Sequence, residues 1–290
     1  MKEDIIMHVF VTGATGYVGS AVVRELMGAG HTVTGLCRSE EKAAGLKAAG
    51  AEALYGTLDD LDTLRSAASA ADGVIHLAFT SDFSDLKGAL ALDLRAVEVM
   101  GAALEGSGKP FITTGHTAHA DGQTVDHAVL AMAAKGIRAS IVTLAPSVHG
   151  EGDRAFVPTL INIARAKGFA AYIGDGTNRW PAVHRLDAAV LYRLALESAP
   201  AGSQLLGVGE VGIPFREIAE VIGRQLNVPT VSITPEEAAA HFGFLGPIAA
   251  FDIAGAFKTA QGSLATRELL GWKPMQPGLI ADLEEGHYFV

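Results

Sequence analysis

The residue pattern predicts an α/β fold: a doubly wound parallel sheet with a smaller, helix-rich C-terminal lobe. Three observations carry that expectation. Short apolar, β-favouring runs alternate with segments of helical period through the first half of the chain. A glycine-rich stretch joins the first strand to the first helix, and the rhythm changes after Pro146.

The first run, Met7 to Thr12, is too brief for a helix and leads straight into glycines. Val18, Ala21, Val22 and Leu26 then recur at helical spacing, and Gly28 and Gly30 are stop signals before a second strand, His31 to Cys37. Glu40 to Ala49 reads as helix, Glu52 to Tyr55 as strand, Leu61 to Ala70 as helix and Gly73 to Phe79 as a buried strand. Leu86 to Leu104 is a long helix, while Pro110 to Thr114 and Arg138 to Leu144 are strands flanking a helix around Val125 to Ala134. Near-continuous apolar strands in such a series need cover on both faces, and right-handed crossovers wind the helices onto both sides. Beyond Pro146, helices are expected at Phe156 to Lys167, Leu186 to Glu197, Phe215 to Leu226 and near 236–241, 263–270 and 279–288. One short strand falls at Leu205 to Val208. Residues 1–150 form the expected first domain, to which a segment near 182–210 returns; residues 151–290 form mainly the second lobe.

Composition narrows the function classes. The 290 residues are 49% hydrophobic and carry 22 Lys+Arg against 32 Asp+Glu, a formal net charge of −10. No basic block offers the footprint that a nucleic-acid backbone requires. No uncharged apolar run approaches the ~18 residues of a membrane span, and the acidic opening MKEDII is unlike a signal peptide. A single cysteine, Cys37, supports neither an intrachain disulfide nor a cysteine zinc cage. A cytoplasmic protein acting on a small molecule is expected, without nucleic-acid or membrane partners, and with monomer and homodimer both open.

The stretch TGATGYVG sets Gly13, Gly16 and Gly19, with Thr15, Tyr17 and Val18 among them, between strand and helix. Such a junction wants glycine for a tight turn, for close approach of backbone to a pyrophosphate, and for packing of helix on strand. The helix start then directs free N–H groups and a partial positive charge at the phosphates. The end of the second strand selects between cofactors. A carboxylate there would bond the ribose 2′-hydroxyl of NAD and repel a 2′-phosphate, whereas an arginine pairs with that phosphate. The chain reads Leu36, Cys37, Arg38, Ser39, with no acid before Glu40, so NADP(H) is the expected cofactor.

With these residues the sequence resembles the extended short-chain dehydrogenase/reductases, the group of the NAD-dependent epimerase/dehydratases, over nearly its whole length. TGATGYVG matches the group's TGxxGxxG turn, and GTLDD (Gly56 to Asp60) is similar to its GDLxD turn on the adenine side. HLAF (His76 to Phe79) resembles the HxAA strand end that lies along the cofactor. APSVHGEGD (Ala145 to Asp153) resembles RPxxVYGPGD, WPAVHRLDAA resembles FVHVDDVA around His184 and Asp187, and LGWKP (Leu270 to Pro274) resembles LGWxP. The resemblance implies a Rossmann fold and places Thr57, Leu58, Ala78, Phe79, Thr113, Ala145 and Val148 along the cofactor.

The catalytic pattern departs from that group. Its members use a serine or threonine after the fifth strand and a Tyr-x-x-x-Lys on the next helix. Here five tyrosines, Tyr17, Tyr55, Tyr172, Tyr192 and Tyr288, are followed four positions on by Ala21, Asp59, Gly176, Leu196 and the end of the chain. The likeness is therefore to the atypical members, which keep the dinucleotide fold and lose the tetrad. Thr114 is the expected orienting hydroxyl for a substrate carbonyl, and His116 the candidate proton donor, since imidazole titrates near neutrality. His119 is a weaker alternative. His116, His119 and Asp121 also invite a metal reading, but without a helical H-E-x-x-H frame no metal is expected. His149 stands at the tyrosine of the VYG loop, where a structural or cofactor-lining role is expected; His184 and Asp187 fix a loop and cap a helix. Cys37 is a buried small residue beside the 2′-phosphate region. Phe83, Trp180, Phe242, Phe244 and Phe251 are either core or the wall of an apolar pocket.

The leading expectation is an NADPH-dependent oxidoreductase that reduces a small, fairly apolar carbonyl or related unsaturated substrate. A non-catalytic NADP(H)-binding sensor is the alternative. A nucleotide-sugar epimerase or lyase ranks third, because it relies on the same missing tyrosine.

Overall fold

The computed structural model describes residues 6–79, 85–115 and 122–289. Packing divides the chain into two units. The first comprises residues up to Thr143, Ala188–Leu205 and Glu268–Trp272; the second comprises Leu144–Asp187, Leu206–Arg267 and the chain from Lys273.

In the first unit each apolar run becomes a strand and each helical-period segment a helix. The order is β1 (His8–Thr12), α1 (Tyr17–Gly28), β2 (Thr32–Cys37), α2 (Glu40–Ala48), β3 (Glu52–Tyr55), α3 (Leu61–Ala70), β4 (Gly73–His76), α4 (Leu86–Ala103), β5 (Pro110–Thr114), α5 (Gly122–Ala131) and β6 (Arg138–Leu144). The chain continues through β7 (Ser147–His149), α6 (Phe156–Lys167), β8 (Ala170–Ile173), β9 (Arg179–His184), α7 (Arg185–Ser198) and β10 (Ser203–Gly207). The central sheet has seven strands in the order β10-β6-β5-β4-β1-β2-β3, with parallel pairing from β3 through to β6. Two βαβ halves wound outward from β1 make this a Rossmann fold.

Alternation along the strands sorts the two faces. Phe10, Leu36, Val74 and Phe111 face α3, α4 and α5, in one buried cluster with Leu64, Val97, Met100 and Val129. Val9, Val11, Val33, Ile75 and Ile112, one position out of phase, are buried on the other face. That side carries α2 and α7: a Cβ on Gly35 would meet Leu46, and one on Gly73 would meet Leu196. Arg138 completes the packing of α7 by donating to the carbonyls of Ala195, Leu196 and Ala199 at the helix end, which satisfies orphan acceptors there.

The second unit is helix-rich, as expected, and also carries two small sheets. Besides α6, it holds β11 (Glu210–Pro214), α8 (Phe215–Leu226), β12 (Thr230–Ile233), α9 (Pro235–Phe242), α10 (Gly246–Ala249), α11 (Ile253–Ala256), α12 (Thr259–Leu270) and α13 (Leu279–Glu284). Its strands form a three-stranded sheet, β11-β9-β7, and a two-stranded sheet, β12-β8. These five strands escaped the sequence reading because they are short and interrupted; RWPAVH and EVGIP contain proline, glycine or charge, and only their distant partners make them strands. The core centres on Trp180, stacked on Phe156 at 3.9 Å between ring centroids, with Phe215 and Phe242 edge-on nearby. Trp180 and Phe242 are therefore core residues, Phe242 also lining a small cavity, whereas Phe251 is exposed.

Candidate cofactor site

The chain leaves β1 through Gly13 at φ +65°, the left-handed region where a side chain is disfavoured. A Cβ on Gly13 would also lie 2.6 Å from the backbone nitrogen of Ala78. At Gly19 a Cβ would come within 2.0 Å of the Gly13 carbonyl oxygen, so α1 rests on the turn through a bare Cα. The turn is tied to the end of β4: the Leu77 N–H donates to the Thr12 carbonyl at 3.2 Å, and the Ala78 N–H donates to Thr12 Oγ1 at 3.3 Å. Thus Gly13, Thr15, Gly16, Tyr17, Val18 and Gly19 form one turn with Ala78 against it and Phe79 next in the chain.

The start of α1 bears no acid. Gly16, its cap, offers no side chain to the first-turn amides. At α2 Ser39 accepts from the Lys42 amide, at α4 Asp85 accepts from Gly88, and at α9 Thr234 with Glu237 forms a capping box, whereas α3, α6, α8 and α13, like α1, have no side-chain cap. The partial positive charge of a helix start without acids, set in a cradle that glycine keeps open, fits a dinucleotide pyrophosphate.

Arg38 and Ser39 are exposed immediately after β2. The neighbouring strand end is bound to the same place by the Gly56 amide donating to the Cys37 carbonyl at 3.0 Å. There Asp60 accepts from the Thr57 amide at 2.9 Å and braces the turn bearing Thr57 and Leu58. Arg38, Ser39, Thr57 and Leu58 therefore sit on adjacent strand ends. The Cys37 thiol is free and buried.

Two polar groupings were not legible in the sequence. Thr12, His76 and Thr113 share one register row across β1, β4 and β5. Asp93 of α4 lies 2.8 Å from His76 Nε2, and His76 Nδ1 lies 2.6 Å from Thr12 Oγ1. A carboxylate only accepts, so Nε2 donates to Asp93, and Nδ1 shares the second hydrogen bond with the Thr12 hydroxyl. All three side chains are buried, and the chain of bonds locks the strand ends beneath the glycine turn. Thr113 is also buried, and its hydroxyl has no partner among the described residues.

Thr114, one position on, faces the opposite side of the sheet. Its Oγ1 is 2.7 Å from the hydroxyl of Tyr192 on α7. Burial drives the Tyr192 phenol far above the usual tyrosine range, and the bond to Thr114 offsets only part of that rise. The phenol stays protonated and engages one hydrogen-bonding position of the Thr114 hydroxyl. When the phenol donates, the Thr114 proton is left for a ligand oxygen. No Tyr-x-x-x-Lys spacing marks Tyr192, whose partner is a threonine 78 residues away.

His116, His119, Asp121 and Phe83 lie outside the described residues. Ala145 and Val148 belong to the second unit, where the Ala145 amide donates to the Gly207 carbonyl and Val148 pairs with Val183. His149 is fully buried there, with Nδ1 hydrogen-bonded to Asp282 at 2.7 Å. Asp187 receives the amides of Met275 and Gln276, so it fixes a loop. His184 Nδ1 accepts from the Leu186 amide; burial holds its imidazole below the usual range, helped by the neighbouring His149.

Comparison with known proteins agrees with this geometry. Residues 9–101 match the model of the NAD dependent epimerase/dehydratase family. An uncharacterized protein of Schizosaccharomyces pombe is 48% identical across 98% of this chain and 100% of its own length. The 4-hydroxy-2-methyl-3-oxo-4-farnesyl-3,4-dihydroquinoline-1-oxide ketoreductase of Stigmatella aurantiaca is 26% identical, covering 82% of this chain and 80% of its own. Among solved structures, UDP-glucose-4-epimerase from Stenotrophomonas maltophila, with NAD bound, superposes with a TM-score of 0.72 at 17% identity over 97% of each chain. With the glycine cradle, the strand order and these relatives in agreement, the chain belongs to the NAD dependent epimerase/dehydratase family.

Proposed function

We propose that this protein is an NADP(H)-dependent reductase of a small, fairly apolar carbonyl compound. The observation that carries the reading is the open glycine cradle at a helix start that bears no acid, beside a β2 end that bears Arg38 and no carboxylate. The relative from Stigmatella aurantiaca is named as a ketoreductase of a farnesylated ring, which supports an apolar ketone as the substrate class.

The turn from Gly13 to Gly19 would hold the pyrophosphate through backbone amides. Arg38 and Ser39 would hold the phosphorylated ribose, Thr57 and Leu58 the adenine edge, and Ala78, Phe79 and Thr113 the run of the cofactor along the strand ends. When bound, the nicotinamide supplies the hydride. Thr114 donates a hydrogen bond to the carbonyl oxygen and orients it, with Tyr192 fixing the hydroxyl rotor. The proton is assigned to His116 or to water, because the Thr114 hydroxyl is too weak an acid to give it up unaided.

Calorimetry with NADPH and NADH, followed by NADPH oxidation at 340 nm across aldehydes and ketones of increasing alkyl length, tests the proposal. Tighter binding of NADPH and turnover of apolar ketones are expected. Tight binding without turnover of any compound would replace the reductase by the sensor reading, which the missing Tyr-x-x-x-Lys favours. Absence of heat from both nucleotides would overturn either.

A further inference from the structure

Helix α4 buries Leu90, Ala96, Val97 and Met100, and among them it buries a carboxylate, Asp93. Taking an ionised group out of water is costly, and apolar side chains put in place of a buried ion-pairing couple often leave stability unchanged or raise it. Here the carboxylate begins a hydrogen-bonded path that leads out of the core. Asp93 accepts from His76 Nε2 at 2.8 Å, His76 Nδ1 shares a bond of 2.6 Å with the Thr12 hydroxyl, and Thr12 Oγ1 accepts from the Ala78 amide at 3.3 Å. The path ends on a partly exposed peptide, and the glycine turn lies against it. A Cβ on Gly13 would stand 2.6 Å from the Ala78 nitrogen and 2.6 Å from the Leu77 carbonyl carbon.

We propose that Asp93, His76 and Thr12 are positioning residues for the cofactor, setting the Leu77–Ala78 peptide on which the nicotinamide half of the dinucleotide lies. The inference rests on the NADP(H) reading and deepens it. Sheet order supplies the direction. β1 carries the phosphate turn and stands between β2 and β4. Arg38, Ser39, Thr57 and Leu58, assigned to the adenosine half, follow β2 and β3, so the nicotinamide half extends over β4 and β5. No member of the path lies on β2 or β3, and its loss is therefore felt on the nicotinamide side. A hydrogen bond fixes an orientation that apolar packing leaves free. Leucines in place of Asp93 and His76 fill much the same space but give Thr12 Oγ1 nothing to hold it. The stability of the core and the plane of the Ala78 peptide are thus separable.

The test combines urea unfolding with calorimetric titration of NADPH, 2′,5′-ADP, NADH and 5′-AMP. The proteins are the wild type, Asp93→Asn, Thr12→Val and the double variant Asp93→Leu with His76→Leu. The double variant is expected to keep the wild-type urea midpoint or exceed it, yet to bind NADPH about tenfold more weakly, with 2′,5′-ADP within about twofold. Thr12→Val cuts the path at its last member and should reproduce that loss. Asp93→Asn, whose amide oxygen still accepts from Nε2, should keep NADPH affinity within about twofold. Should the double variant fail to fold, Thr12→Val carries the same comparison. Wild-type NADPH affinity in Thr12→Val would overturn the inference and leave the NADP(H) reading intact. Equal losses for NADPH and 2′,5′-ADP would also overturn it, as a general disturbance of the turn. A wild type that prefers NADH would overturn the NADP(H) reading alone, and NADH against 5′-AMP then decides the inference in the same way. A wild type that binds neither dinucleotide would overturn both.

Discussion

Replacing Gly19 with alanine adds one methyl group to α1 and separates close packing from helix propensity. In an open helix the change favours folding by about 1 kcal/mol. Gly28, the last residue of the same helix, provides that control: a Cβ there meets nothing within 4 Å, so Gly28→Ala is expected to stabilise the protein by about 0.5 kcal/mol. At Gly19 the added Cβ would stand 2.0 Å from the Gly13 oxygen and 2.8 Å from its carbonyl carbon. Ordinary contact begins at 3.4 Å, so the turn and helix must part by 3.4 − 2.0 = 1.4 Å. No side chain can yield, because both atoms are backbone. Overpacking of that kind costs ~1–3 kcal/mol, which outweighs the propensity gain. The displaced amides also lose their aim at the pyrophosphate, for which a loss of about 100-fold in NADPH affinity, or about 2.7 kcal/mol, is expected. Urea unfolding midpoints and fluorescence titration with NADPH read the two effects separately. Wild-type affinity in Gly19→Ala, together with a gain in stability like that of Gly28→Ala, would refute the close packing and the role of the turn.

Other perturbations probe the elements around that turn. Tyr192→Phe removes the hydrogen bond to Thr114 and is expected to cost about 1 kcal/mol; in a cycle with Thr114→Val the two losses should not add, and strict additivity would sink the pairing. Arg138→Met takes the donor from the Leu196 and Ala199 carbonyls at the end of α7, while Ala195 keeps the Ala199 amide, and is expected to cost about 2 kcal/mol in urea unfolding, a prediction that an unchanged midpoint would defeat. His184 has a folded-state pKa below its unfolded value, chiefly from burial. The unfolded chain therefore binds the proton more readily, and stability present above the unfolded value of about 6.5 declines as pH falls through the lowered folded value. Between pH 7.5 and 5.5 the wild type should lose more stability than His184→Gln; equal losses would remove His184 from the account.

The sequence was most informative where structure is local. Strands such as Pro110–Thr114 and helices such as Leu61–Ala70 begin and end where their apolar period, prolines and glycines place them. The helix expected near Val125 to Ala134 keeps its position, but its last turn tightens to 3-10 geometry over Met132–Lys135 before Gly136 stops it at φ 71°. The small strands of the second unit were hidden, since a four-residue run such as Thr230–Ile233 is a strand only because Ala170–Ile173 lies beside it. Site residues divide in the same way. Gly13, Gly19 and Arg38 announce themselves through spacing and position, whereas the bonds from Thr12 to His76 to Asp93, and from Thr114 to Tyr192, join residues 17 to 78 positions apart.

By itself, then, the sequence determined the winding of the sheet, the phosphate turn and the absence of an acid at the end of β2, because each depends on neighbours within about one supersecondary unit. Tertiary structure alone decided which hydroxyl Thr114 meets and which carboxylate His76 holds. Those outcomes follow from the parity of side chains on a pleated strand and from which helix is laid across each face, and no local pattern encodes the partner.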